Sequence, residues 1–112
     1  MKTAPDAIGR GAAGVELHLR IRIKPRMRQE FLAFLRGATP FYEAPGGIAI
    51  RLLEDRSDDH RFIELVLYEN EEAFLRDQQR VEHDPAMKAY LETWRALLAE
   101  KPVVEVYRPT RP

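Results

Sequence analysis

The nine residues Val15-Glu16-Leu17-His18-Leu19-Arg20-Ile21-Arg22-Ile23 alternate apolar and polar without a break. A period of two sends every second side chain to one face of an extended chain, so this stretch predicts a strand with one face on a core. Pro25 stops the strand and suits the first turn of a helix. Met27, Phe31, Phe34 and Leu35 follow at helical spacing. They predict an amphipathic helix over 26–37 that Gly37 closes. Pro40, Pro45, Gly46 and Gly47 then predict a loop over 38–47.

Further along, 48–53 and 61–69 read as strands, and the cluster Asp55, Ser57, Asp58, Asp59 between them predicts a hairpin turn. Asn70 is a good helix N-cap, with Glu71 and Glu72 in the first turn and Phe74, Gln78 and Val81 facing inward. Asp84-Pro85 starts another helix, whose inner stripe is Met87, Tyr90, Leu91, Trp94, Leu97 and Leu98. Pro102 ends it and Val103–Tyr107 is a last strand. The order β-α-β-β-α-(α)-β predicts an α+β, ferredoxin-like fold, a four-stranded antiparallel sheet with its helices on one face. It forms one domain over 15–108, between a flexible arm at 1–14 and a tail at 109–112.

At 112 residues the chain suits a single domain with a real core. Eighteen bases balance eighteen acids, which argues against a general nucleic-acid binder, because phosphate recognition needs surplus positive charge. The absence of cysteine excludes disulfides, thiolate metal sites and a cysteine nucleophile. Pro5, Asp6, Gly9 and Arg10 interrupt the N-terminus, and no apolar run approaches a membrane span. The expectation is a soluble cytoplasmic protein without a membrane partner. Among His18, His60 and His83, only His60 has ligand-type neighbours, Asp58 and Asp59, a common turn composition. No metal is expected.

Helices on one side leave the other face of the sheet open. Alternation assigns to it Glu16, His18, Arg20 and Arg22, then Phe62, Glu64, Val66 and Tyr68, then Val103, Glu105 and Tyr107, with Arg51 and Leu53 as further members. Aromatics interleaved with charges of both signs predict a covering partner, a second copy of this chain packed sheet to sheet as a homodimer, with a solvated face as the alternative. The segment 20–36 is basic and 54–84 acidic; these are either solvated faces or complementary surfaces of that dimer.

Three stretches are similar to known ones. Glu43-Ala44-Pro45-Gly46-Gly47 resembles an acidic-Pro-Gly turn leading into a second strand. Phe62 to Phe74 resembles a third strand ending in an aromatic, an acidic turn and a helix. Asp84-Pro85-Ala86-Met87-Lys88-Ala89-Tyr90 resembles a small-Pro-x-apolar-Lys-x-aromatic helix start. Together they resemble the antibiotic-biosynthesis-monooxygenase-like family of the dimeric α+β barrel superfamily. The resemblance implies a cofactor-independent monooxygenase-like enzyme acting on aromatic or polyketide-like substrates, with no cofactor. Its alternative is a non-catalytic ligand-binding or stress-responsive barrel protein. Many members carry a helical His where this chain has Asp77-Gln78. The haem-degrading members' strand-one Asn has no counterpart, since Asn70 is the only asparagine.

In the family the pocket lies between helices and sheet. Carried to this chain, its lining is Phe41, Tyr42, Phe74, Gln78, Tyr90 and Trp94, apolar walls for a small aromatic ligand. The polar candidates for catalysis are His83, Tyr42 and Arg51, which would polarise a phenol or stabilise an enolate-like anion. The same aromatic spacing also serves an ordinary core, and His83 beside Asp84-Pro85 also suits the surface.

Overall fold

The computed structural model describes residues 14–112, so the arm read over 1–14 lies, apart from Gly14, outside the described residues. The alternating stretch forms β1 (Val15–Arg22). It pairs antiparallel with β3 (Asp58–Tyr68) on one side and with β4 (Val103–Tyr107) on the other. Strand β2 (Ile48–Asp55) pairs with β3, giving the order β2-β3-β1-β4 of the ferredoxin-like fold. Helices α1 (Arg28–Glu43), α2 (Glu71–His83) and α3 (Pro85–Ala96) cover one face. No helix among the described residues is long and apolar enough to cross a membrane.

Register corrects the face expected for β3. Leu17 opposes Val66, Leu19 opposes Glu64 and Ile21 opposes Phe62. Directly opposed residues share a face, so Phe62, Glu64, Val66 and Tyr68 lie under the helices with the apolar side of β1. Ile63, Leu65 and Leu67 take the open face beside Glu16, His18 and Arg20. The readings for β1 and β4 stand: Val103, Glu105 and Tyr107 align with Arg20, His18 and Glu16. Both faces of β3 are apolar, so alternation within that strand could not choose its phase.

Helix α1 corrects a second expectation. It runs through Gly37 and Pro40 to Glu43, so Phe41 and Tyr42 sit in its last turn rather than in a loop. The reason is burial: Phe31, Leu35, Ala38 and Tyr42 continue the inner stripe at steps of three and four. Pro25 does not open this helix. Its amide-free ring occupies a turn closed by the Met27 N–H to the Lys24 carbonyl, with Arg26 left-handed at φ 69°. Asn70 accepts from the Ala73 N–H at 2.9 Å and Asp84 from that of Ala86 at 2.9 Å, so both cap readings hold.

After α1, Gly46 and Gly47 are both left-handed, at φ 85° and 73°, which turns the chain into β2. Glu43 reaches across this turn and its carboxylate accepts the Ile50 N–H at 2.9 Å. After α3, the Lys24 N–H donates to Leu97 and the Ala99 N–H to Arg22, tying the helix exit to the end of β1.

Pro40 denies the Arg36 carbonyl its helical partner and crowds it. Pro40→Ala is therefore expected to stabilise the protein by about 1–2 kcal/mol, somewhat less than the usual interior-proline cost because the unfolded chain gains freedom. A rise of several degrees in the midpoint of a calorimetric melt checks it.

Candidate functional site

Between the helices and the sheet lies a cavity of about 220 Å³. Leu17, Leu19, Ile48, Ile50, Val66, Val81, Met87 and Leu91 supply its apolar walls. The polar groups reaching it are Tyr42 from α1, Glu64 and Tyr68 from β3, Asp77 and Gln78 from α2, and Trp94 and Arg95 from α3.

Glu64 is the unusual member. Only 3% of it is exposed, and one carboxylate oxygen accepts the Trp94 indole N–H at 3.0 Å. Burial pushes its pKa up to about 7, while the indole N–H, which favours the ionised form, works against that rise.

A second polar group fixes the helices. The Tyr68 hydroxyl, fully buried, donates to Asp77 at 2.5 Å. Arg80 bonds the other Asp77 oxygen at 3.3 Å and donates to the carbonyls of Tyr42 at 3.1 Å and Phe41 at 2.8 Å. Both carbonyls lie at the negative end of α1, where a cation is favoured, and that of Phe41 also accepts the Ala44 N–H at 3.3 Å. The guanidinium also lies 4.8 Å over the Phe41 ring. Burial, aided by the nearby Glu64, Tyr90 and Asp77, raises the Tyr42 hydroxyl well above the usual tyrosine value; burial and Asp77 do the same for Tyr68. Both stay neutral hydroxyls at physiological pH.

Of the residues named from sequence, Tyr42, Gln78 and Trp94 line the cavity. Phe41 and Tyr90 stack on each other with centroids 4.5 Å apart, where α1 meets α3. Phe74 packs edge-on against Tyr68 at 5.3 Å, behind the wall. His83 is exposed at the end of α2, 3.6 Å from Glu82, and Arg51 is exposed on the open face opposite Leu65. Neither reaches the cavity. Sequence reading missed Glu64, Tyr68 and Asp77 as cavity groups. Asp77 follows Ala73 by four residues on the buried stripe of α2, a signal that was available.

A wider hollow of about 420 Å³ lies at the open face around Arg20, Arg22, Leu53, Asp55, Arg61 and Val103. Its arginines are already paired: Arg20 with Glu105 at 2.9 Å, Arg22 with Asp58 at 2.8 Å and Arg61 with Asp55 at 3.6 Å. Asp58, Asp59 and His60 offer ligand atoms within 4.8 Å of one another, but Asp58 is engaged by Arg22 and His60 by Asp59 at 2.8 Å.

Residues 15–93 match the family model described as antibiotic biosynthesis monooxygenase. Among solved structures, SnoaB from Streptomyces nogalater, a cofactor-independent oxygenase, is similar at 17% identity with a TM-score of 0.73, covering 89% of this chain and 96% of its own. A conserved protein from Methanosarcina mazei is 13% identical with a TM-score of 0.74, covering 91% and 98%. A Mycobacterium tuberculosis protein is 19% identical with a TM-score of 0.70, covering 89% and 98%. No curated protein matches the sequence.

The Glu64 carboxyl binds its proton more tightly folded than unfolded, at about 7 against 4.5. Its contribution to stability is therefore whole below about pH 4.5 and is lost as pH rises to about 7. The loss is about 3 kcal/mol. Glu64→Gln removes that dependence, so its advantage over the unmodified protein should grow across this window; urea unfolding at a series of pH values checks it.

Proposed function

Because the chain belongs to the antibiotic biosynthesis monooxygenase family, we propose that it is a small-molecule enzyme of the cofactor-independent monooxygenase kind, acting on a phenolic aromatic substrate held in the cavity beneath α3. The observation that carries this reading is the pairing, within apolar walls, of a buried carboxyl at Glu64 with the indole of Trp94 and the neutral hydroxyl of Tyr42. Oxygenation without a cofactor requires the substrate itself to give electrons to dioxygen, and an ionised phenol is electron-rich enough to do so. Dry walls then matter, because they keep the anion from water and strengthen the few polar contacts it makes. The space suits a compact substrate: a protein cavity of about 150 Å³ holds benzene, and this one is about 220 Å³. The second reading, a non-catalytic ligand-binding barrel protein, is favoured by His83 and Arg51 lying away from the cavity.

We also propose that two copies pair through the open sheet face. Its apolar members Ile63, Leu65 and Leu67 lie between Ala49 and Leu53 on β2 and the charged side of β1. Leu53, Val103 and Tyr107 are 44%, 53% and 45% exposed in the single chain, an uncovered apolar surface that a second copy would bury. Glu64 plays no part in this contact, because it faces the helices.

Compact phenols and naphthols should raise the melting temperature, and the enzyme reading further requires dioxygen uptake with one of them. Binding without uptake across that set would favour the non-catalytic barrel. Light scattering at micromolar concentration should give twice the mass of one chain, and Leu53→Lys should shift it toward the monomer; a monomeric unmodified protein would refute the dimer.

A further inference from the structure

We propose that Glu64 is the proton acceptor of this site: its free carboxylate oxygen takes the hydroxyl proton of an acidic phenol, one conjugated to a carbonyl or nitro group, bound in the cavity. This assignment deepens the phenol reading and rests on it. The O–H bond of the phenol breaks and a new O–H bond forms on Glu64. The products are a phenolate and a neutral carboxylic acid, and no oxidant or reductant takes part.

The geometry argues for it in three ways. Glu64 interrupts an apolar face, with Leu19 and Leu52 as its cross-strand neighbours, and makes no ion pair among the described residues. Trp94 engages one oxygen; the other has no hydrogen bond among the described residues, and the side chain lines the cavity. The groups facing it leave it as the available base. Helix α1 brings Tyr42, a neutral hydroxyl, with Tyr90 of α3 behind it. Helix α2 brings Asp77, which Tyr68 and Arg80 already engage. Helix α3 brings Trp94 and the exposed Arg95, while β1 and β2 bring only aliphatic side chains.

A purely structural role would be served better by glutamine, which accepts the same indole hydrogen bond with no charge to desolvate. Burial instead leaves a carboxyl that exchanges its proton near neutrality. That matches an acidic phenol far better than an ordinary one, since proton transfer is most effective between groups of similar affinity near the working pH.

Trp94 is the only tryptophan, so its fluorescence reports on this site alone. The probes are para-nitrophenol and its methyl ether, para-nitroanisole, titrated into the full chain at pH 7 while Trp94 quenching and the phenolate absorbance are followed. The phenol should bind at least about tenfold more tightly than the ether, and bound phenol should show phenolate absorbance. Glu64→Gln should still bind the phenol but leave it unionised. Equal affinity for phenol and ether, or equal phenolate absorbance in Glu64→Gln, overturns the assignment while the aromatic site stands. Quenching by neither probe overturns the site itself. Should Glu64→Gln fail to fold, the unmodified protein still decides: equal affinity for para-nitrophenol and para-nitroanisole overturns the proposal, and tighter binding of the phenol with phenolate absorbance supports it.

Discussion

Arg80 holds two helices at a fixed height above the sheet, and the cavity exists because of it. The chain of contacts starts on β3, where the buried Tyr68 hydroxyl meets Asp77, passes to Arg80 on the next turn of α2, and ends on the last-turn carbonyls of Phe41 and Tyr42. Each group supplies what its neighbour lacks. Asp77 is an acceptor that burial would otherwise leave costly, and the last turn of α1 presents carbonyls without a full set of helical partners. Without this tie, α1 and α2 would be free to settle onto the sheet and close the space beneath them. With it, Tyr42 is held at the cavity wall and the helices cannot collapse onto Glu64.

The element order and the outline of the core were legible because β1, α2 and α3 carry unambiguous periods and caps. What was not legible depended on contacts distant in sequence. Strand β3 is apolar on both faces, so its phase is set by pairing with β1, whose partner residues lie about forty to fifty positions away in the chain. Gly37 and Pro40 read locally as helix breakers, but burying Ala38 and Tyr42 outweighs their cost. The same limits govern the site. Gln78 and Trp94 are readable as inward positions and Tyr42 only through the family resemblance, whereas alternation assigns Glu64 to the open face and does not single out Asp77; register and helix phase place both at the cavity. His83 and Arg51 were named for their chemistry, and chemistry alone says nothing about which way a side chain points.

The two borders of the sheet are not equivalent. At β2 the Glu43 carboxylate occupies the Ile50 N–H, one of the outward donors another chain would need for docking. At β4 only β1 is paired among the described residues, and Val104 and Val106 stand 56% and 54% exposed beside the free backbone. Unpaired strand borders are templates for uncontrolled growth. Two β4 borders that meet satisfy one another and close into a pair, whereas growth that continued along β2 would have to displace the Glu43 carboxylate from the Ile50 N–H.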